Sequence, residues 1–173
     1  MRNKKILVSA IAILISLSFT AQASTQRGTS RKPDIHIAAA EAVVGEIYGT
    51  HNVVQTFKSN ANNMSEIDVL FATFSGRKNT GTLSVSIDQA GKNIFKTELD
   101  ISKMKDNSFI PFKFSPISNS AGKSFAITLS SPKATFANCV TAWVMKHNVP
   151  VDSTLTYGGK KAPSILVFNT FSN

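Results

Sequence analysis

Apolar and polar residues alternate in short segments along most of the chain. Residues 82–87 alternate Leu, Val and Ile with Thr and Ser, and residues 123–130 alternate Phe, Ile and Leu with small or polar residues. A period of two gives a β-strand one apolar and one polar face. Clusters of Gly, Asn, Asp, Ser and Pro separate these segments at spacings typical of antiparallel sandwiches. The pattern therefore predicts an all-β fold.

Two further segments are apolar on more than one face, which favours positions inside a sheet. Residues 66–74 carry Ile, Val and Phe on one face and are partly apolar on the other, and residues 164–171 are apolar at most positions. Residues 76–81 have the composition of a turn. We therefore expect residues 66–74 and 82–87 to form a hairpin.

Residues 100–114 give two smaller predictions. Pro111 interrupts the aromatic-rich segment 108–114, and a proline inside a strand favours an edge position or a bulge. Asp100 can cap a helix, but residues 100–104 suffice for only a turn or two. Helix is otherwise nearly absent from the pattern.

These segments predict an antiparallel jelly-roll β-sandwich of about eight strands in residues 41–173. A single domain is enough, because a chain of about 150 residues can bury roughly two-thirds of the surface that it exposes when unfolded. Residues 24–33 contain no large apolar side chain. We expect residues 24–40 to form a flexible leader.

The N-terminal residues have the organisation of a signal peptide. Lys4 and Lys5 precede an apolar run over residues 6–19, which ends before Ala21-Gln22-Ala23. The run is 14 residues long, whereas a helix needs about 20 to span a bilayer. The sequence therefore predicts a cleaved signal peptide over residues 1–23, a secreted or periplasmic location, and no transmembrane segment after cleavage.

Charge narrows the range of partners. Without Arg2, Lys4 and Lys5, the mature chain has 16 basic and 10 acidic side chains and a net charge of +6. The basic residues are scattered and do not alternate with stacking aromatics, which disfavours nucleic acid as a partner. A diffuse positive charge attracts acidic glycans or phosphorylated lipids, and it also keeps a protein soluble.

The residue types that carry catalysis do not form a recognisable set. The three histidines lack metal-type spacing, no pair of carboxylates stands out, and Ser120–Lys123 matches Ser-x-x-Lys without the companion motifs. Cys139 is the only cysteine, so the chain has no internal disulfide, and its apolar surroundings predict a buried small residue. The sequence predicts a non-enzymatic protein without a metal or cofactor, although a calcium ion in a loop stays open.

Several segments resemble one family in order as well as in composition. They are Val-Gln-Thr-Phe-Lys-Ser at 54–59, Ile-Asp-Val-Leu-Phe-Ala-Thr-Phe at 67–74, Asn-Thr-Gly-Thr-Leu at 79–83, Asn-Cys-Val-Thr-Ala-Trp at 138–143 and Tyr-Gly-Gly-Lys at 157–160. Together they resemble a galactose-binding-like jelly-roll module of bacterial envelope and secreted proteins. The resemblance covers about residues 43–171.

In that family the module is often appended to membrane proteins that look like glycosyltransferases. The resemblance therefore implies a role near surface polysaccharide, with a glycan, or else a protein, as partner. The matching residues belong mostly to strands and turns. Site residues must accordingly be chosen on physical grounds.

A sugar-binding sandwich offers aromatic faces to the apolar side of a pyranose ring and polar groups to its hydroxyls. Tyr157, beside two glycines in a turn, is a candidate platform, and Arg77, Lys78 and Asn79 form a donor-rich turn suited to an acidic sugar or phosphate. Trp143 lies in a dense strand and is expected to anchor the core.

A structural or adhesive subunit of a surface fibre is the alternative function. The chain has the size, the signal peptide and the apolar C-terminal strand of subunits that assemble by strand donation. It lacks their usual disulfide, and the leader has no alternating apolar donor strand longer than residues 35–38. We therefore expect an exported carbohydrate-binding or envelope-binding module first and a fibre subunit second.

Overall fold

A computed structural model describes residues 31–75 and 77–173, which contain thirteen β-strands and one 3-10 turn, Ile101–Lys103. The strands are β1 (Ile35–His36), β2 (Ala42–Val43), β3 (Val53–Lys58), β4 (Met64–Ala72), β5 (Thr82–Gln89), β6 (Lys92–Asp100), β7 (Ser108–Ile117), β8 (Ser124–Ser130), β9 (Thr141–Met145), β10 (Thr154–Tyr157), β11 (Lys160–Ala162), β12 (Ile165–Leu166) and β13 (Phe168–Ser172). Eight of them have five or more residues, near the predicted number. The predicted signal peptide and residues 24–30 lie outside the described residues.

The strands form two antiparallel sheets that pack against each other. Sheet 1 has the order β1-β13-β4-β9-β12, with β2 paired to β9 and β7 paired to β4, and sheet 2 has the order β11-β10-β3-β8-β5-β6. One cluster of buried apolar side chains lies between them. The prediction of an all-β sandwich is confirmed.

The core follows directly from the alternation in the sequence. Along β5 and β8 every second residue is buried, while β4 buries Ile67, Val69 and Phe71 towards the other sheet. The rings of Phe57 in sheet 2 and Phe168 in sheet 1 meet with centroids 5.0 Å apart. Burying each such side chain contributes roughly 1.5–3 kcal/mol, so these faces provide the main stabilisation of the fold.

The predicted hairpin of residues 66–74 and 82–87 is wrong. β4 belongs to sheet 1 and β5 to sheet 2, so that residues 73–81 cross from one sheet to the other. β4 already pairs with β7 along one side and with β13 and β9 along the other. Since neither side of β4 is open to β5, the two strands instead bury their apolar faces against the same core.

Two local predictions are confirmed. β7, which contains Pro111, pairs with β4 alone and is an edge strand of sheet 1. The Asp100 side chain accepts a 3.0 Å hydrogen bond from the Ser102 backbone N–H and caps the single 3-10 turn. Both effects depend on the residue itself and its neighbours in the chain, so the local sequence was enough to predict them.

Within the expected flexible leader, Arg31 and residues 34–37 are bonded to the sandwich. Arg31 Nη2 donates to the Ser172 carbonyl at 2.6 Å, and its Nη1 lies 2.9 Å from Glu66 Oε2. β1 then pairs with β13, with Ile35 opposite Thr170. Residues 24–33 contain no large apolar side chain, but Arg31 attaches this segment to the sandwich through polar bonds.

Gln55 is a fully buried polar side chain that joins the two sheets. It lies on β3, in sheet 2, and its Oε1 accepts a 2.9 Å hydrogen bond from the Leu166 backbone N–H in sheet 1. Its Nε2 donates to the carbonyls of Thr56 and Thr154, at 2.8 and 3.3 Å. Both ends of the amide are therefore satisfied, as a buried polar group requires.

Asp68 lies on the outer side of β4, two residues after Glu66 on the same face. Its Oδ1 is buried and has no hydrogen-bond partner within residues 31–75 and 77–173. Burial, and next the negative charge of Glu66, raise the pKa of Asp68 from 3.8 to about 6, although Lys113 and Arg31 oppose this shift. Folding therefore favours the protonated carboxyl.

We expect the stabilising effect of Asp68 protonation to be fully present below pH 3.8 and to be lost as the pH rises through about 6. The Asp68→Asn variant should gain about 1–2 kcal/mol over the parent at pH 7.5, after allowance for partial solvent screening. It should gain little at pH 4. Urea unfolding at both pH values, with the exposed Asp152→Asn as control, measures this difference. Equal gains at both pH values would contradict the assignment.

Candidate binding site at the loop end of the sandwich

Three loops meet at one end of the sandwich, which we call the loop end. They contain residues 44–52, residues 73–75 with 77–81, and residues 131–140. Glu46 ties them together, since its Oε1 accepts from Arg77 Nη1 at 2.7 Å and its Oε2 from the Ala137 N–H at 2.8 Å. Burial opposes ionisation of Glu46, but the bonds from Ala137 and Arg77 outweigh it and lower its pKa. Glu46 is therefore ionised although its side chain is only 12% exposed, and it bonds the three loops to one another.

Tyr157 also reaches this segment. Its hydroxyl donates a 2.7 Å hydrogen bond to the Glu46 carbonyl, and its ring packs on Gly45. A Cβ on Gly45 would come within 2.8 Å of Tyr157 Cζ, and Gly45 has a φ of +120°. Glycine is therefore needed there, and Tyr157 is half-buried rather than freely presented.

A chain of aromatic rings extends from Tyr157 to the surface. His51 lies 5.6 Å from Tyr157 and 4.5 Å from Tyr48, on which it stacks, and Phe136 meets Tyr48 edge-on at 6.1 Å. These distances join ring centroids. Phe136 is 69% exposed and ends the chain in solvent. The loop end therefore presents an aromatic surface on a braced loop.

The cluster Arg77, Lys78 and Asn79 divides into three different roles. Arg77 pairs with Glu46 and lies 4.0 Å above the ring of Phe74, while Lys78 is exposed. Asn79 is buried and its Nδ2 donates to the Thr73 carbonyl at 2.8 Å. The Oδ1 of Asn79 has no partner among the residues described. Of these three residues, Lys78 is the one whose side chain has no hydrogen bond or ion pair within the described residues.

These three residues border an open cleft of about 360 Å³. Its opposite wall comes from Ile101, Ser102 and Met104, around the 3-10 turn. The exposed cation of Lys78, beside hydroxyl and amide groups, suits an anionic, hydroxyl-rich ligand.

The cleft and the aromatic surface are neighbours. Asn138, two residues after Phe136, accepts a 2.8 Å hydrogen bond at its Oδ1 from the Thr80 N–H beside Asn79. Arg77 and the Phe136 loop are further linked through Glu46. The structure thus brings all four sequence-predicted residues to the loop end, although Tyr157 and Asn79 make internal contacts there.

Trp143 does not anchor the core as expected. Ala142 and Val144 on either side of it are buried, so its ring points to the outer face of sheet 1, where it is half-exposed. Its Nε1 donates to Asn107 Oδ1 at 2.9 Å. The segment is apolar on both faces, and density alone could not tell which face held the tryptophan.

Cys139 is a buried small residue, as predicted. Its thiol donates to Glu46 Oε2 at 3.1 Å, and burial, followed by this bond and the charge of Glu46, raises its pKa to about 12. The thiol therefore stays protonated at neutral pH. Within residues 31–75 and 77–173, no three His, Cys, Asp or Glu side chains are grouped to hold a metal ion, and no helix there is long and apolar enough to cross a membrane.

Sequence reasoning missed Tyr48 and Phe136. Phe136 follows Pro132 in a segment with turn residues on both sides, and a large aromatic residue in such a loop was the available signal.

No protein-family model and no curated protein matches this chain. The resemblance to galactose-binding-like modules therefore stays a prediction.

Proposed function

We propose that this chain is an exported, non-enzymatic binding module whose loop end recognises an acidic carbohydrate of the cell envelope. The carrying observation is the exposed ring of Phe136 on a loop that is bonded to the rim of a cationic cleft. Aromatic stacking supplies contact area on a sugar ring, and the neighbouring charges fix orientation. Export, to the periplasm or beyond, rests on the pattern of residues 1–23.

Within this proposal the side chains have different tasks. Phe136 is the stacking platform, Lys78 pairs with the acidic group, and Arg77 stays on Glu46 as the brace of the loops. The Tyr157 hydroxyl donates to the Glu46 carbonyl, so Tyr157 affects the site through Glu46. The anchored loops lower the ordering cost of binding, because the platform is held before the ligand arrives.

We expect Phe136→Ala to lower the affinity for the best glycan at least tenfold, since it removes the exposed stacking surface. A glycan array with acidic and lipopolysaccharide-derived sugars selects the ligand, and calorimetry at several salt concentrations measures the affinity. Lys78→Ala should weaken binding about threefold and reduce its dependence on salt. Tyr157→Phe removes the hydrogen bond to the Glu46 carbonyl and keeps the aromatic ring, so it tests whether Tyr157 acts through Glu46.

Phe109→Ala is the matched control, because Phe109 is 42% exposed and belongs to β7 rather than to any of the three loops. Equal losses in Phe136→Ala and Phe109→Ala would contradict the proposed site. If glycan binding by the parent protein disappeared at moderate salt, the binding would be general charge attraction rather than specific recognition.

The alternative of a surface-fibre subunit requires an added strand along a sheet edge. The β7 edge contains Pro111 and Pro116, which lack the backbone N–H that an added strand needs. The β7 edge is therefore poorly suited to accept an added strand. A glycan screen without any specific ligand, together with polymers of the purified chain, would favour the fibre subunit instead.

A further inference from the structure

A second cleft, distinct from the loop end, opens into the core between β1 and the loop at residues 150–153. It has a volume of about 200 Å³. Its base consists of Phe57, Ile165 and Phe168, which are otherwise buried core residues. An apolar ligand entering here would lie against Ile35 and Ile37, in front of this part of the core.

The cleft exists because β1 extends sheet 1 beyond the cover that sheet 2 provides. Ile35 lies opposite Thr170, which is fully buried, so the Ile35 side chain is on the inner face of sheet 1. Ile37 lines the same space. The loop at residues 150–153, rather than a strand of sheet 2, lies opposite these isoleucines. The inner apolar face of β1 is therefore incompletely covered.

The rim carries a weakly engaged positive charge. Lys58 is 51% exposed, and its Nζ lies 3.9 Å from Oδ2 of Asp152, which is 67% exposed. An exposed pair at this distance contributes little. Asn60 is also on the rim, where its Nδ2 makes a long 3.5 Å contact with the Asp34 carbonyl. Both groups are available to donate to an anion above an apolar base.

We infer that this cleft binds a small anionic amphiphile, with its alkyl chain against Ile35 and Ile37 and its carboxylate at Lys58. An apolar cavity of about 150 Å³ holds one benzene ring, so this cleft has room for a chain of roughly six to eight carbons. The carboxylate replaces Asp152 as the partner of Lys58. The site is independent of the proposed glycan surface, since the two share no residue.

Calorimetric titration of the protein with hexanoate, octanoate and octylamine tests the inference. Each methylene buried in the cleft should raise the affinity about fourfold, so octanoate should bind about 15-fold more tightly than hexanoate. Octylamine has the same chain and the opposite charge, and it should bind at least threefold more weakly than octanoate. Equal binding of the two C8 ligands, or no octanoate binding at millimolar concentration, would overturn the inference.

Variants locate the ligand. Ile35→Trp fills the cleft from one wall and Ser153→Phe from the other, and each should reduce octanoate affinity at least tenfold while the thermal unfolding midpoint shows that the variant is folded. Lys58→Met should weaken octanoate without weakening octanol, whereas Lys105→Met, an exposed lysine at the other end, should change neither. Unchanged binding in both filled variants would place the ligand elsewhere. A dimer that Ile35→Trp dissociates in sedimentation velocity would make a second copy the occupant and would also overturn the inference.

Discussion

Replacing Ile127 with aspartate should lower the free energy of unfolding by about 4 kcal/mol, enough to leave much of the protein unfolded. Ile127 is fully buried in the middle of β8, between Gln55 on β3 and Ile87 on β5. Gln55 already uses its amide donors on two backbone carbonyls, so it offers no ready partner to the new carboxylate. Urea unfolding followed by circular dichroism measures the loss.

Thr128→Asp is the control for this change. Thr128 is the next residue of the same strand, and it lies on the outer face of sheet 2 with partial exposure. The control should cost less than about 1 kcal/mol, since the carboxylate stays hydrated. Similar losses at both positions would mean that β8 does not bury the face assigned to it.

Gln55→Leu should destabilise the protein by about 2–3 kcal/mol, although leucine fills nearly the same space. The change leaves the buried N–H of Leu166 without its acceptor, and an unsatisfied buried donor costs about 1–3 kcal/mol. The Thr154 carbonyl is less affected because it also accepts from Thr56 Oγ1 at 3.3 Å. Unfolding in urea gives the magnitude, and hydrogen exchange of the Leu166 amide, which should accelerate, reports the broken link.

Gln89→Leu provides the comparison, because Gln89 ends β5 and is only half-buried. It should leave both the unfolding free energy and the Leu166 exchange nearly unchanged. If Gln55→Leu were as stable as the parent while Leu166 remained protected, the hydrogen bond between the sheets would have no energetic role.

The strands were predictable because their pattern is local, whereas their partners were not. The alternation in residues 82–87 and 123–130 appears in the structure as the buried faces of β5 and β8. The expected hairpin of residues 66–74 with 82–87 failed because β7, β9 and β13, all distant in sequence, occupy both sides of β4. Pairing in a sandwich is thus decided by long-range competition for edges, which no local window contains.

The candidate site was predictable in position more than in role. Turn composition placed Arg77 and Lys78 in a loop, where the structure has them, but Tyr157 lies at the end of β10 rather than in the turn. It could not show that Glu46 binds both Arg77 and Tyr157 internally. The turn residues around Phe136 indicate a loop, but the exposure of its ring depends on bonds from that loop to Glu46 and Thr80. Roles of this kind follow from tertiary contacts, so they could be assigned only from the fold.

The bond between Arg31 and Ser172 places these two residues at the end of the sandwich opposite the loop end. Ser172 lies opposite Met64, at the start of β4. The loop end follows the other end of β4, nine residues away, or roughly 27–30 Å at the usual rise per residue. A support attached to the chain at Arg31 or Ser172 would therefore lie at the far end of the sandwich from Phe136 and Lys78.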